Sequence, residues 1–186
     1  MVCKNGGVMR GFYRLEPEKF WSFPKSYKGD IVFETKQMIL SGDYLGSVKK
    51  DGNYLRTVKE HDRITLQTRG VSKVTNEYGD KTDCLPHIVE ELSTFDGDVV
   101  FLGEVYFEDV SKNDSDVGAV LRCLAPKAIQ RQKNNGFLSY YVFDILYYKG
   151  ADLRNTRFEQ RVKLLNDLSD WFDKQLNFRA FNSVYS

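Results

Sequence analysis

The run Asp98-Val99-Val100-Phe101-Leu102-Gly103-Glu104-Val105-Tyr106-Phe107 constrains the fold more than any other segment. β-Branched and aromatic side chains dominate it, and such residues suit a pleated surface better than a helix. It reads as a long strand with a single charge, Glu104, placed by alternation on the face of Val100, Leu102 and Tyr106. Leu138–Leu146 is a second strand of similar make-up, closed by a turn at Lys149-Gly150. Shorter strands are expected at Tyr44–Val48, Tyr54–Lys59 and Arg63–Arg69, joined by turns at 49–53 and 60–62 as an antiparallel meander. A last strand is expected over Asn177–Tyr185.

Helical signals fall between these strands. A short helix is expected near Glu34–Leu40. Thr82 or Asp83 can cap a helix running to about Phe95, with Pro86 in its first turn. Asp114 or Ser115 can cap another that continues to about Lys133. Thr156-Arg157-Phe158-Glu159 has the form of a capping box, and behind it Phe158, Val162, Leu165, Leu168 and Phe172 recur at helical spacing. Strands with inserted helices predict an α+β fold with antiparallel sheets and packed helices.

The chain of 186 residues is long enough for one domain. Residues 1–27 read as an irregular segment punctuated by Pro17 and Pro24, and residues 28–186 as the domain proper. The 27 Lys and Arg nearly balance the 26 Asp and Glu, so neither a polybasic nor an acidic tail is present. Cys3, Cys84 and Cys123 suit neither a disulfide framework nor a zinc site, and the two histidines, His61 and His87, exclude a multi-His metal centre. The first ten residues lack the apolar core of a secretory signal, and no stretch is long and apolar enough for a membrane span. A reducing, cytoplasmic compartment and no membrane partner are expected.

Chemistry concentrates in Gly46-Ser47-Val48-Lys49-Lys50-Asp51-Gly52-Asn53-Tyr54. A strand ending in Val48 delivers Lys49 into a turn made by Asp51-Gly52, and the glycine permits close approach of a phosphate or another backbone. Lys50 beside it disfavours a second positive charge. A lysine in a cationic, partly desolvated site loses its proton below the roughly 10.4 of a free side chain, as a lysine nucleophile requires. The same tetrapeptide also serves as an ordinary hairpin turn with two solvated lysines. Gly6-Gly7-Val8-Met9-Arg10-Gly11 has Walker-like glycine spacing but ends in Phe12, without the lysine that contacts phosphate.

Lys49-Lys50-Asp51-Gly52 resembles motif I of the covalent nucleotidyltransferases, the family of ATP-dependent DNA ligases, RNA ligases and mRNA capping enzymes. Thr68-Arg69-Gly70 is similar to motif Ia, Phe101-Leu102-Gly103-Glu104-Val105 to motif III, and Tyr141-Val142-Phe143-Asp144-Ile145-Leu146-Tyr147 to motif IIIa in its DNA-ligase form. Cys123–Gln132 resembles a segment of phage-type ligases. The resemblance spans roughly residues 28 to 175 and implies a partial nucleotidyltransferase (ATP-grasp-like) adenylation domain. It further implies that Lys49 attacks the α-phosphate of ATP, with Mg²⁺ assisting, and carries AMP toward a nick in duplex DNA. The nucleotide site would comprise Lys49, Val48, Arg69, Glu104, Phe143 and Arg56, with Glu104 on the ribose and the Phe143 ring on adenine. Arg161 is read as structural, on the polar side of the last helix. Lys127, Arg131 and Lys133 form either a track for DNA phosphates or a solvated helix face.

Two departures from the family pattern stand out. Tyr54 occupies the position where DNA ligases usually carry arginine, and the nearest arginine on that strand is Arg56. The chain ends at Ser186, before the motif IV glutamate, the motif V lysines and the OB-fold with motif VI. The expectation is therefore an incomplete piece of a ligase, with a complementing C-terminal fragment as one partner. An RNA ligase and a non-catalytic module that binds adenosine nucleotides are the alternatives.

Overall fold

Both long apolar runs lie side by side at the centre of one sheet in a computed structural model that describes residues 26–41, 50–72 and 76–180. After helix α1 (Ile31–Leu40), strands β1 (Asn53–Glu60) and β2 (Arg63–Val71) form a hairpin through His61-Asp62. Strand β3 (Tyr78–Asp80), a short 3-10 turn at Thr82–Cys84 and helix α2 (Pro86–Ser93) lead to β4 (Val99–Tyr106). Helices α3 (Asp114–Leu121) and α4 (Ala125–Asn135) precede β5 (Ser139–Tyr148) and β6 (Ala151–Asp152). Helices α5 (Phe158–Asp167) and α6 (Ser169–Phe172) and strand β7 (Phe178–Ala180) follow. The sheet order is β3-β2-β1-β4-β5-β6, with every neighbour antiparallel, and β7 adds a parallel pairing on β5. The α+β expectation is met. The described strands form one sheet, and the short β3 and β6 and the parallel pairing were not legible in the pattern.

One face of the sheet carries the main core, where Leu55, Leu66, Phe101, Val105, Tyr140, Val142 and Ile145 meet Ile88, Leu92, Val117, Val162 and Leu165 from the helices. Phe101 sits at its centre, 5.4 Å from the Phe95 ring and 5.7 Å from the Phe172 ring. Tyr140 crosses Gly103, where an added Cβ would lie 2.4 Å from its ring, and its hydroxyl donates to the Leu55 carbonyl at 2.9 Å. That hydroxyl, from β5, ties β4 and β1 from above while meeting its own need for a buried partner.

Several local expectations change. The helix expected from Asp114 to Lys133 is two helices, because Pro126 has no N–H to donate and its ring obstructs the preceding turn. The cap of α3 is Asn113, one residue before the expected pair. Its side chain accepts from the Ser115 amide, and the Asp116 carboxylate accepts from the Asn113 amide in return. The Thr156–Glu159 capping box does not form: Arg157 is the cap residue and no side chain caps it. The Thr156 carbonyl instead accepts from Arg161 at 2.5 Å. The expected strand at Tyr44–Val48, and the part of the last strand beyond Ala180, lie outside the described residues.

Arg161 is not on a solvated face. It is buried and paired in a two-point bond with Asp144, Nε to Oδ1 at 2.7 Å and Nη2 to Oδ2 at 2.9 Å. This bond clamps α5 to β5. Removing one partner leaves a buried charge, which costs about 3–5 kcal/mol. Asp144→Asn and Arg161→Met are each expected to lower unfolding free energy by that order in denaturant titrations. The double variant should lose less than the sum of the two.

His87 supplies a pH signature. Its Nε2 meets the Leu138 carbonyl at 2.9 Å, and burial pushes the imidazole below its usual range. The unfolded chain therefore binds the proton more readily, so the stabilisation is full above pH ~6.5 and fades as pH falls toward the lowered native value. Denaturant midpoints measured between pH 7.5 and 5 should fall with pH, and His87→Gln should flatten that fall.

Candidate nucleotide site

The opposite face of the sheet carries the residues that the motifs single out. In β1, Tyr54, Arg56 and Val58 alternate with the core-facing Leu55 and Thr57. Register places Tyr54 opposite Glu104 and Glu104 opposite Tyr141. Leu55 pairs with Thr68, so the next step along β2 sets Arg69 beside Tyr54. Four strands thus contribute one transverse row, Arg69–Tyr54–Glu104–Tyr141. The next row is Gln67–Arg56–Leu102–Asp144, and a third is Thr65–Val58–Val100–Tyr147.

These rows form a graded surface. Val58, Val100, Leu102, Leu146 and Tyr147 make a small apolar cluster, and Tyr54 and Phe143 pack at its margin. Glu104 is half-buried at the polar end. The exposed Arg69 holds its guanidinium 5.7 Å from the centre of the Tyr54 ring. Arg56 is buried at 1% exposure, donates to Gln67 Oε1 at 2.8 Å and lies 4.8 Å from the Tyr78 ring. Glu104 and Arg69 are therefore brought into one row, while Arg56 sits one row deeper.

Phe143 corrects the alternation. Strict alternation along this strand would put Phe143 on one face with Tyr141 and Ile145. The pairs Gly103–Val142 and Leu102–Asp144 leave Phe143 as the extra residue of a β-bulge, and a second bulge lies between the pairs Leu102–Asp144 and Val100–Tyr147. Ile145 consequently pairs with Phe101 in the main core, whereas the half-buried Phe143 touches both apolar clusters. A bulge bends the strand and re-aims the side chain it carries.

Val48 and Lys49 lie outside the described residues, which resume at Lys50. The turn that follows is held in two ways. At Gly52 an added Cβ would stand 2.1 Å from the Val105 carbonyl oxygen, so only glycine lets the chain run this close to β4. Lys50 places its ammonium 4.5 Å from the Tyr106 ring centre and 5.7 Å from that of Tyr141, within cation–π range. Tyr106 in turn donates to Glu108 at 2.7 Å. Sequence reading missed Tyr106, Tyr141 and Tyr78 as seats for cations, although the dense tyrosines of β4 and β5 were the available sign.

The α4 cations do not join the rows. Ala128 of this helix packs into the main core on the other face, and Arg131 donates to the Ala119 carbonyl at 2.7 Å. Lys127 and Lys133 are exposed. Among the described residues no group of three His, Cys, Asp or Glu could hold a metal ion, and no helix is long and apolar enough to cross a membrane.

The sequence matches the ATP dependent DNA ligase domain family over residues 29–183. No curated protein matches. Among solved structures, a mycobacterial DNA ligase D complexed with ATP and MES is similar at 23% identity and a TM-score of 0.51, covering 74% of this chain. The ligase domain of LigD from M. tuberculosis is 23% identical with a TM-score of 0.48, covering 73% of this chain. This chain spans only 39% and 38% of those two solved chains.

The contact at Gly52 gives a direct test. Gly52→Ala forces β1 and β4 apart at the motif turn and should destabilise by about 1–3 kcal/mol in denaturant titrations.

Proposed function

The chain belongs to the ATP dependent DNA ligase domain family, and we propose that residues 28–186 act as the nucleotide-binding, adenylating part of an ATP-dependent DNA ligase. The observation that carries this reading is the row Arg69–Tyr54–Glu104–Tyr141 across the sheet whose strand β1 follows the described Lys50–Gly52 segment, with Phe143 at the edge of the apolar floor.

In this reading adenine stacks on Phe143, a contact worth about 1–3 kcal/mol per base. The Glu104 carboxylate, an acceptor-only group when ionised, takes hydrogen bonds from the ribose hydroxyls. Val48 borders the base, and the Arg69 guanidinium faces the phosphates. Arg56, held in the next row of the same face by Gln67 and Tyr78, adds positive field. The uncharged Lys49 amine attacks the α-phosphorus. A P–N bond forms, the bond to the bridging oxygen breaks, and pyrophosphate leaves with that electron pair. Lysyl–AMP then passes its nucleotide to a 5′-phosphate at a nick in duplex DNA, where a 3′-hydroxyl displaces AMP. Such transfer depends on positioning and charge neutralisation more than on covalent help from the protein.

Mg²⁺ favours substrate phosphates, water and one or two carboxylates over an all-protein cage. When bound with ATP, such an ion would offset phosphate charge. The setting proposed is a reducing, cytoplasmic one, with sealing of DNA nicks in replication, repair or recombination as the role. A segment supplying further phosphate-binding cations would complement this part of the enzyme.

The test is incubation with α-labelled ATP and Mg²⁺, alone and with nicked DNA. A protein-bound label that resists alkali, is released by acid as a P–N bond is, and is abolished by Lys49→Ala is expected. Phe143→Ala should weaken ATP binding by about 1–3 kcal/mol while leaving the label attached to Lys49. ATP binding with no label would instead leave a nucleotide-binding module without this chemistry.

A further inference from the structure

Two arginines on adjacent strands compete for the role of cation facing the phosphates, and their surroundings separate them. Arg56 is 1% exposed and already engaged by Gln67 and Tyr78 one row away from Glu104. Arg69 is exposed. An exposed arginine samples many rotamers, and ordering it at a ligand costs conformational entropy. Here the neighbouring β1 residue removes part of that freedom. Tyr54 is half-buried, packs on the Val58–Leu102 cluster, and offers its ring 5.7 Å from the guanidinium carbon.

The ring is itself immobilised. Tyr54 lies between β2 and β4 in mid-sheet, directly opposite Glu104 and two residues beyond the tight contact of Gly52 with Val105. Its position is therefore tied to the motif turn and to the row's carboxylate at once. A guanidinium over this ring is brought to the row where Glu104 stands, with its planar fork of donors suited to phosphate oxygens.

We propose that Tyr54 is a positioning residue, an aromatic platform that holds Arg69 in place for a phosphate group of the bound nucleotide. The arginine is thus delivered from β2 across a tyrosine on β1. This rests on the nucleotide-site reading above. It adds that ATP affinity depends on a coupled pair from two strands.

The experiment measures ATP dissociation constants by calorimetry for the full chain and its Tyr54→Phe, Tyr54→Leu, Arg69→Ala and Tyr54→Leu/Arg69→Ala variants. Lysine labelling and NMR of arginine Nε–Hε groups accompany it. Tyr54→Leu should weaken ATP about two- to fivefold, and Arg69→Ala about tenfold or more. The double variant should bind no more weakly than Arg69→Ala alone. Tyr54→Phe keeps the ring and should stay near wild type. The Arg69 Nε–Hε resonance should carry a ring-current shift in wild type and Tyr54→Phe, and lose it in Tyr54→Leu.

Additive losses in the double variant would overturn the proposal, as would an Arg69 resonance that ignores the loss of the ring. A merely structural Tyr54 would weaken ATP equally in both backgrounds. ATP binding without any lysine label overturns the adenylation reading alone, since the affinities and the resonance still decide this one.

Discussion

Two positions that tolerate no side chain hold the central strands together. Gly52 lets the start of β1 run against the Val105 carbonyl, and Gly103 lets the Tyr140 ring lie across β4. With a Cβ at either place, contacts of 2.1 and 2.4 Å would push β1, β4 and β5 apart. The register of these strands sets which residues stand in the row with Glu104. The placement of the candidate site is thus a consequence of backbone packing, before any side-chain chemistry enters.

The two faces of the sheet divide the labour. The helices and the aromatic cluster around Phe101 bury one face and supply most of the apolar contact. The other face has a much smaller apolar cluster bordered by Tyr54, Arg56, Glu104 and Phe143. The Asp144–Arg161 bond belongs to the scaffold: it fixes α5 on β5 next to the bulge that carries Phe143. A small apolar floor with charged and aromatic margins suits a flat base attached to a polyanion.

The parts of this arrangement that could be read from sequence follow from strong local signals. Val- and Phe-rich runs gave β4 and β5, and the short-turned meander gave the β1–β2 hairpin. Glu104 was placed on the face of Val100, Leu102 and Tyr106; the unbroken β1–β4 register agrees for Val100 and Leu102, whereas Tyr106 packs with the main core. Phe143 was not placed correctly, because β5 is apolar nearly throughout and alternation cannot reveal where one strand slips an extra residue past its neighbour. Arg161 was read as structural, which its bond to Asp144 bears out, but it was placed on the polar side of its helix, whereas it is buried. The sign of that burial was Asp144, a carboxylate in mid-strand that needs a buried partner. The break between α3 and α4 was written in Pro126. The pairing of Arg69 with Tyr54 joins residues on different strands, so only the register discloses it.

The central claim is that the face bearing Glu104 and Phe143 receives the adenosine end of ATP. Intermolecular nuclear Overhauser effects, measured on the chain saturated with ATP, test it most directly. Cross-peaks from adenine H2 or H8 to the Phe143 ring, and from the ribose to the Glu104 methylenes, are the result the account predicts. Adenine cross-peaks confined to helix residues on the Phe101 side of the sheet, with none to Phe143, would contradict it.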